Sequence, residues 1–161
     1  MEKYIRKMKK EDLHDISQLY RYQYEYHRKN VPDNTPVHYK DITEEDFNNA
    51  EQDQNTLVLV LCILEHGKEA IAGSALINII HQEDNNITAS FPYIYIDQFV
   101  IGEQYQNNQL GSYFLEYIKE MSSEHGYKEI LLDCWVENKK GIEFYSKNDF
   151  TPIRQLFSHK L

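Results

Sequence analysis

Residues 96–120 read IDQFVIGEQYQNNQLGSYFLEYIKE, and the way this stretch divides decides the fold. It opens as a strand-like run that closes on Phe99, Val100 and Ile101. It ends with Leu110, Phe114, Tyr117 and Ile118 at helical spacing. Between the two lies a polar turn in which Gln106, Asn107, Asn108 and Gln109 are neutral hydrogen-bonding residues. Gly111 is the single glycine between residues 103 and 120. A turn that carries a strand into a helix start presents unpaired backbone N–H groups and the positive end of the helix dipole. Diphosphates bind in such places. With one glycine, the turn alone reads as readily as an ordinary polar helix start.

Working outward, Gly126 stops the helix. KEILLDCWV (128–136) is apolar on both faces, as expected of a buried strand in a parallel pair. Residues 93–136 therefore form a strand, helix, strand crossover, for which the right hand is the rule. A short helix, NKKGIEFYSK (138–147), and a strand-like C-terminal segment, TPIRQLFSHKL (151–161), follow. Towards the start, YIRKM (4–8) alternates like a strand, and residues 10–29 place Leu13, Ile16, Tyr20, Tyr24 and His27 on one helix face. Thr43 and Asp46 form a capping-box pair opening a helix that carries Phe47. TLVLVLCILE (56–65), the turn HGK and EAIAGSALINII (69–80) read as an antiparallel hairpin. The polar loop QEDNN (82–86) leads into ITASFPYIYIDQFVI (87–101), where Pro92 marks an edge or a bulge. Alternation along this run sets Tyr93, Tyr95, Asp97, Phe99 and Ile101 on one face, which would flank Asp97 with apolar groups. The fold class is α+β, a mixed and mostly antiparallel sheet flanked by helices, in one domain spanning residues 1–161.

Composition narrows the function. The chain has 161 residues, 41% of them hydrophobic, enough for one core without disulfides or metal. A net charge of −9 repels nucleic acid and anionic membranes and favours cationic ligands such as amines. No leader pattern is read at the start and the most apolar run is too short to span a bilayer, so the expected location is cytoplasmic. Cys62 and Cys134 read as small packed thiols. The seven histidines show no close paired spacing, so no metal site is expected. Trp135, on the expected buried strand, reads as core, as do Tyr20 and Tyr24 on the helix face.

Residues 96–120 together with VENKKGIEFYSKNDF (136–150) resemble the GNAT superfamily of acyl-CoA-dependent N-acyltransferases. Gln106 stands at the Arg/Gln position of its loop, Gly111 at the second glycine, Asn138 at its asparagine, Gly141 at its small residue, and Phe144 and Tyr145 at its Phe-Tyr pair. Gln109 and Asp149 replace two usual glycines; if residue 109 needs a positive φ, a side chain there costs about 1–2 kcal/mol. The resemblance implies a splayed parallel strand pair that takes the pantetheine arm of acetyl-CoA along Phe99, Val100 and Ile101. The diphosphate would lie on residues 106–112, namely Gln106, Asn107, Asn108, Gln109, Leu110, Gly111 and Ser112, and Asn138 would contact the cofactor.

The resemblance also implies acetyl transfer from acetyl-CoA to a primary amine of a small molecule, by direct attack in a ternary complex. Tyr145 corresponds to the general acid that protonates the departing thiolate. Asp97, beside the cofactor edge, is the candidate general base for an amine that is mostly ammonium at neutral pH. Tyr22, Glu25, Tyr26 and His27 are candidate acceptor-binding residues. Two other readings stand beside this one: an acetyltransferase of protein N-termini or lysines, and a non-catalytic acyl-CoA-binding sensor. The sequence leaves the oligomeric state open; the resemblance allows a homodimer through an exposed sheet edge, to which the C-terminal segment could contribute.

Overall fold

A computed structural model describes residues 2–81 and 92–159 of the chain. The loop QEDNN and the first part of the run that follows it, to Phe91, lie outside the described residues. Five strands form one sheet in the order β1-β2-β3-β4-β5: β1 is Lys3–Lys7, β2 Thr56–Glu65, β3 Lys68–His81, β4 Pro92–Ile101 and β5 Ile130–Leu132. The first three pairings are antiparallel and β4 runs parallel to β5. The long helices are α1, Leu13–Asn30; α2, Glu44–Gln52; α3, Leu110–Glu124; and α4, Lys139–Lys147. This is the α+β architecture read from the sequence.

Local chemistry accounts for most of the boundaries. The Thr43 hydroxyl accepts from Asp46 N–H at 3.2 Å, and the Asp46 carboxylate accepts from Thr43 N–H at 2.8 Å, so the expected capping box opens α2. His66 and Gly67, both with positive φ, make the two-residue turn that suits the twist of the β2–β3 hairpin. Gly126, also at positive φ, ends α3, and Tyr127 N–H returns to the Ser122 carbonyl at 3.0 Å. Pro92 is the first residue of β4, where its missing N–H costs the ladder least.

Because β2 is apolar on both faces, it divides two cores. Leu59, Leu61 and Ile63 face α3 and pack with Phe114, Leu115 and Ile118. Val60 and Cys62 face α1 and meet Ile16. At the edge of that second core the Arg6 guanidinium grips Asp12 at 2.6 Å and Glu69 at 2.5 Å. Burial pushes the Asp12 carboxyl up, but Arg6 and the Lys9 N–H outweigh it and hold the carboxyl below the usual range. A depressed carboxyl contributes stability above its unfolded value and loses it as pH falls through its folded value. Asp12→Ala is therefore expected to cost about 2 kcal/mol at pH 7 in a urea titration. The deficit should shrink below about pH 4, where the carboxylate of the parent protein is itself being protonated.

Two expectations need correction. The run 128–136 pairs only over Ile130–Leu132, and all three residues are half-buried; beyond Leu132 the chain leaves β4, so Trp135 is 46% exposed and not core. The C-terminal segment is no strand. Its described part, residues 151–159, has no regular structure, and Ile153, Leu156 and Phe157 stand in solvent. A three-residue β5 offers too short an edge to template another strand.

Candidate active site

The site is built where β4 loses its partner. Strand β4 pairs with β5 from Ile94↔Ile130 to Ile96↔Leu132 and no further, so the strands diverge at Asp97. A β-bulge falls at the same point: Ile77 pairs with Ile96 and Leu76 with Gln98, which leaves Asp97 without an opposite residue. The bulge shifts the alternation of the strand. Ile94 and Ile96 face α3 before it, and Phe99 and Ile101 face α3 after it. The single-face reading of Tyr93 through Ile101 is thereby overturned. Asp97 and Gln98 are delivered to the opposite side of the sheet, towards α1, where Asp97 is exposed in place of the expected apolar flank.

Past the bulge, the backbone of β4 has one occupied and one open side. Gly102 N–H donates to the Ala72 carbonyl of β3 at 2.9 Å. By alternation, Val100 also turns its backbone to β3, while Phe99 and Ile101 turn theirs to the open side. The Ile101 carbonyl accepts from Gln106 Nε2 at 3.0 Å, and the same nitrogen donates to the Tyr22 hydroxyl at 3.1 Å. Gln106 therefore works through its side chain, tying the end of β4 to α1. The Phe99 N–H and carbonyl and the Ile101 N–H remain as an edge that an amide-bearing chain can pair with.

The turn that follows keeps its donors free. Tyr113 N–H makes the first bond of α3, to the Gln109 carbonyl at 3.0 Å. The N–H groups of Asn107, Asn108, Gln109, Leu110, Gly111 and Ser112 donate to no described protein group. Gln109 sits at φ 60°, ψ 8°, as the left-handed cap of α3, and its side chain makes no capping bond. Asp149 has φ 68° and turns the chain at the end of α4, so that Phe150 N–H reaches the Tyr145 carbonyl at 3.0 Å. The geometry that glycine favours is thus present at both positions. Gln109→Gly and Asp149→Gly are each expected to raise stability by about 1 kcal/mol, measured as a higher urea midpoint. Gly111 has a different duty: a Cβ there would lie 3.0 Å from two ring carbons of Phe144. Its absence lets α4 close on the start of α3.

Helix α4 carries Asn138 and Tyr145. Asn138 is its N-cap; Oδ1 accepts from Gly141 N–H at 2.9 Å and from the Tyr26 hydroxyl at 3.1 Å. A Cβ on residue 141 would come within 2.5 Å of Asn138 Nδ2, so a larger residue there would shift the Asn138 side chain from this position. Asn138 Nδ2 is left as a donor. Tyr145 packs between Phe144, at 5.3 Å between ring centroids, and Phe150, at 5.9 Å. Phe144 in turn stacks on Phe99 at 5.9 Å, which anchors Tyr145 to the open stretch of β4. Burial, with the Cys134 thiol adding to it, pushes the Tyr145 phenol above its ordinary value. Its hydroxyl hydrogen-bonds to no other described residue.

On the α1 side of the sheet lies a cavity of about 520 Å³ walled by α1, residues 34–40, Asp97, Gln98 and Trp135. Of the four expected acceptor residues only His27 lines it. Tyr22 is bonded to Gln106, Tyr26 to Asn138, and Glu25 is exposed. Tyr20 and Tyr24, read as core, do line it. Burial pushes the Tyr20 phenol up to about 12, with hydrogen bonding to Ser74 opposing and the Asp97 charge adding to the rise. Burial lowers His27. Sequence reasoning missed Tyr39 and Trp135, since their place in the wall depends on the path of residues 31–41 and on where β5 ends. Tyr145 is outside the cavity wall, across the gap between β4 and β5. Among the described residues, no group of three His, Cys, Asp or Glu is placed to hold a metal ion, and no helix is long and apolar enough to cross a membrane.

Solved structures of other proteins share this fold. The tetramutant of BH1408 protein from Bacillus halodurans superposes with a TM-score of 0.88 at 20% identity, over 98% of this chain and 99% of that one. The aminoglycoside acetyltransferase meta-AAC0020 from an uncultured soil metagenomic sample, in complex with trehalose, gives 0.71 at 18% identity, over 99% and 96%. Glucosamine-6-phosphate N-acetyltransferase from Arabidopsis thaliana gives 0.65 at 19%, over 99% of each chain. No curated protein matches the sequence. Residues 11–150 match the Acetyltransferase (GNAT) family, and with the diverging β4–β5 pair and the open turn before α3, the chain belongs to that family.

Proposed function

We propose that the protein transfers an acetyl group from acetyl-CoA to a primary amine of a small molecule, by direct attack in a ternary complex. The observation that supports this best is the meeting, at one end of β4, of an open strand edge with a turn whose N–H groups at 107–112 are free. A ligand that carries amides next to a diphosphate satisfies both at once. In this reading Phe99 and Ile101 hold the amides, residues 107–112 the diphosphate, and Asn138 Nδ2 a carbonyl. Bound acetyl-CoA supplies an activated thioester. Asp97 removes a proton from the acceptor ammonium, directly or through water, and the freed nitrogen forms the new N–C bond. As the C–S bond breaks, the Tyr145 hydroxyl gives its proton to the sulfur, and the second proton lost by the nitrogen returns to the phenolate through water. Burial keeps the phenol protonated throughout the neutral range; it also weakens the acid, so the proton passes only as negative charge builds on the sulfur.

A cavity of about 520 Å³ bordered by residues 34–40 has room for a small acceptor. The two cysteines are free thiols, in keeping with a reducing, cytosolic setting. A homodimer that covers Ile153, Leu156 and Phe157 belongs to the same reading. The test is to incubate the protein with acetyl-CoA and a panel of primary amines while following free thiol. The expected result is thiol release that requires an amine, with a product heavier by one acetyl group. Acetyl-CoA that binds but is never transferred would favour the sensor reading.

A further inference from the structure

The acceptor cavity carries a charge pattern at odds with the acidity of the chain as a whole. Among the described residues, Asp97 is the single carboxylate in its wall; the other charged or titratable side chains there, tyrosines apart, are Lys40, His27 and His38. Asp41, next to Lys40 in the chain, is taken up by Arg21, which bonds both of its oxygens at 2.9 and 3.0 Å. His27 is held neutral near pH 7 by burial, so it adds neither a repelling charge nor an attracting one.

Much of the remaining wall is aromatic and already fixed. Tyr24 donates to the Pro36 carbonyl at 2.9 Å and the Val37 carbonyl at 3.0 Å; Tyr39 donates to the Ser17 carbonyl at 3.0 Å. Their rings meet at 5.3 Å. With those hydroxyls committed to the backbone, the side chains offer ring surface, of which one face of Tyr39 is already taken by the Arg21 guanidinium, 4.9 Å from the ring centroid. Tyr20, Trp135 and Leu76 continue the wall. Such a surface attracts a cation over its ring faces and a flat apolar body alongside them. Gln23, Asn34, Thr35 and Gln98 add neutral polar groups, but among the described residues the wall has no second carboxylate for a second ammonium, and a cation brought next to Lys40 without one is penalised by desolvation and repulsion.

From this we infer that the acceptor is a primary amine with one positive charge on a flat, largely apolar body, its ammonium at Asp97 and its ring against Tyr24, Tyr39 and Trp135, and that polyamines and aminoglycosides are poor acceptors. The inference rests on the acetyl-transfer reading above and adds the acceptor class to it.

Trp135 is the only tryptophan in the chain, so its emission reports this cavity without any need for turnover. With CoA present in excess, phenethylamine is expected to shift the Trp135 emission and saturate with a Kd at least about tenfold below that of spermidine or kanamycin. Lys40→Glu, which supplies a second carboxylate, is expected to move the phenethylamine-to-spermidine ratio of Kd towards the polyamine. Tighter binding of spermidine or kanamycin by the parent protein, or no saturable response to phenethylamine, would overturn the inference. Saturable phenethylamine binding without thiol release from acetyl-CoA would leave the acceptor class standing and sink the acetyl-transfer reading instead.

Discussion

Replacing Tyr145 by phenylalanine is expected to lower kcat by about 100-fold or more while acetyl-CoA affinity stays within about twofold. The ring keeps its seat between Phe144 and Phe150, so packing is preserved. Because the hydroxyl bonds to no other described residue, its loss leaves no protein group unsatisfied, and the thermal midpoint should barely move. What disappears is the proton for the departing thiolate. Since burial raises the phenol, the parent enzyme should show no alkaline fall in kcat from this group below about pH 10. An unchanged kcat in the variant would remove Tyr145 from the mechanism.

The second large effect is expected at Asp97. Asp97→Asn retains the size of the side chain at the bulge but cannot accept a proton or pair with an ammonium. A loss of about 100-fold in kcat/KM near pH 7 is expected. The loss should shrink as pH climbs towards the amine's own pKa, near 10, because the free amine then needs no base. That convergence separates a base from a structural aspartate, whose removal would scale activity equally at every pH. A constant ratio between parent and variant from pH 6 to about pH 10 would place the base elsewhere.

How much of this was legible in the sequence depends on the range of the interactions involved. The capping box at Thr43 and Asp46, the His66-Gly67 turn, the Leu110–Glu124 helix and its stop at Gly126 are all decided within a few residues. They were read correctly. The bulge at Asp97 was not, because it exists only in the register between β3 and β4, and it reversed which residues share a face. The end of β5 at Leu132 is equally nonlocal: an apolar run says that strand is favoured, not that its neighbour turns away. Trp135 was misassigned as a result, and the open wall it forms went unseen. The strand-like look of residues 151–161 likewise gave no warning that their described part, residues 151–159, has no regular structure.

Within the site, the residues on the loop and on α4 could be placed from motif spacing, but their partners could not. Nothing in the sequence couples Tyr22 to Gln106 or Tyr26 to Asn138, separations of 84 and 112 residues. These bonds divert two of the four expected acceptor residues to the loop before α3 and the start of α4. The tyrosine run of α1 is thus divided by helix geometry: Tyr20 and Tyr24 face the cavity, Tyr22 and Tyr26 the cleft. A positive φ was expected conditionally at Gln109 from the missing glycine; at Asp149, where a usual glycine is also replaced, the structure adds a second one. Both side chains are exposed, so the strain is borne by the backbone with no clash, and the open turn survives.

The claim on which the rest depends is that the gap between β4 and β5, with the free N–H groups of residues 107–112, holds acyl-CoA. Titration calorimetry of the purified protein with acetyl-CoA tests it most directly, with adenosine diphosphate and free pantetheine as controls. Binding with a Kd of the order of micromolar is expected, with each half of the ligand alone at least about 100-fold weaker, because edge and turn are engaged together. No heat with acetyl-CoA, or equal affinity for adenosine diphosphate alone, would contradict the account and leave the open edge of β4 without a ligand.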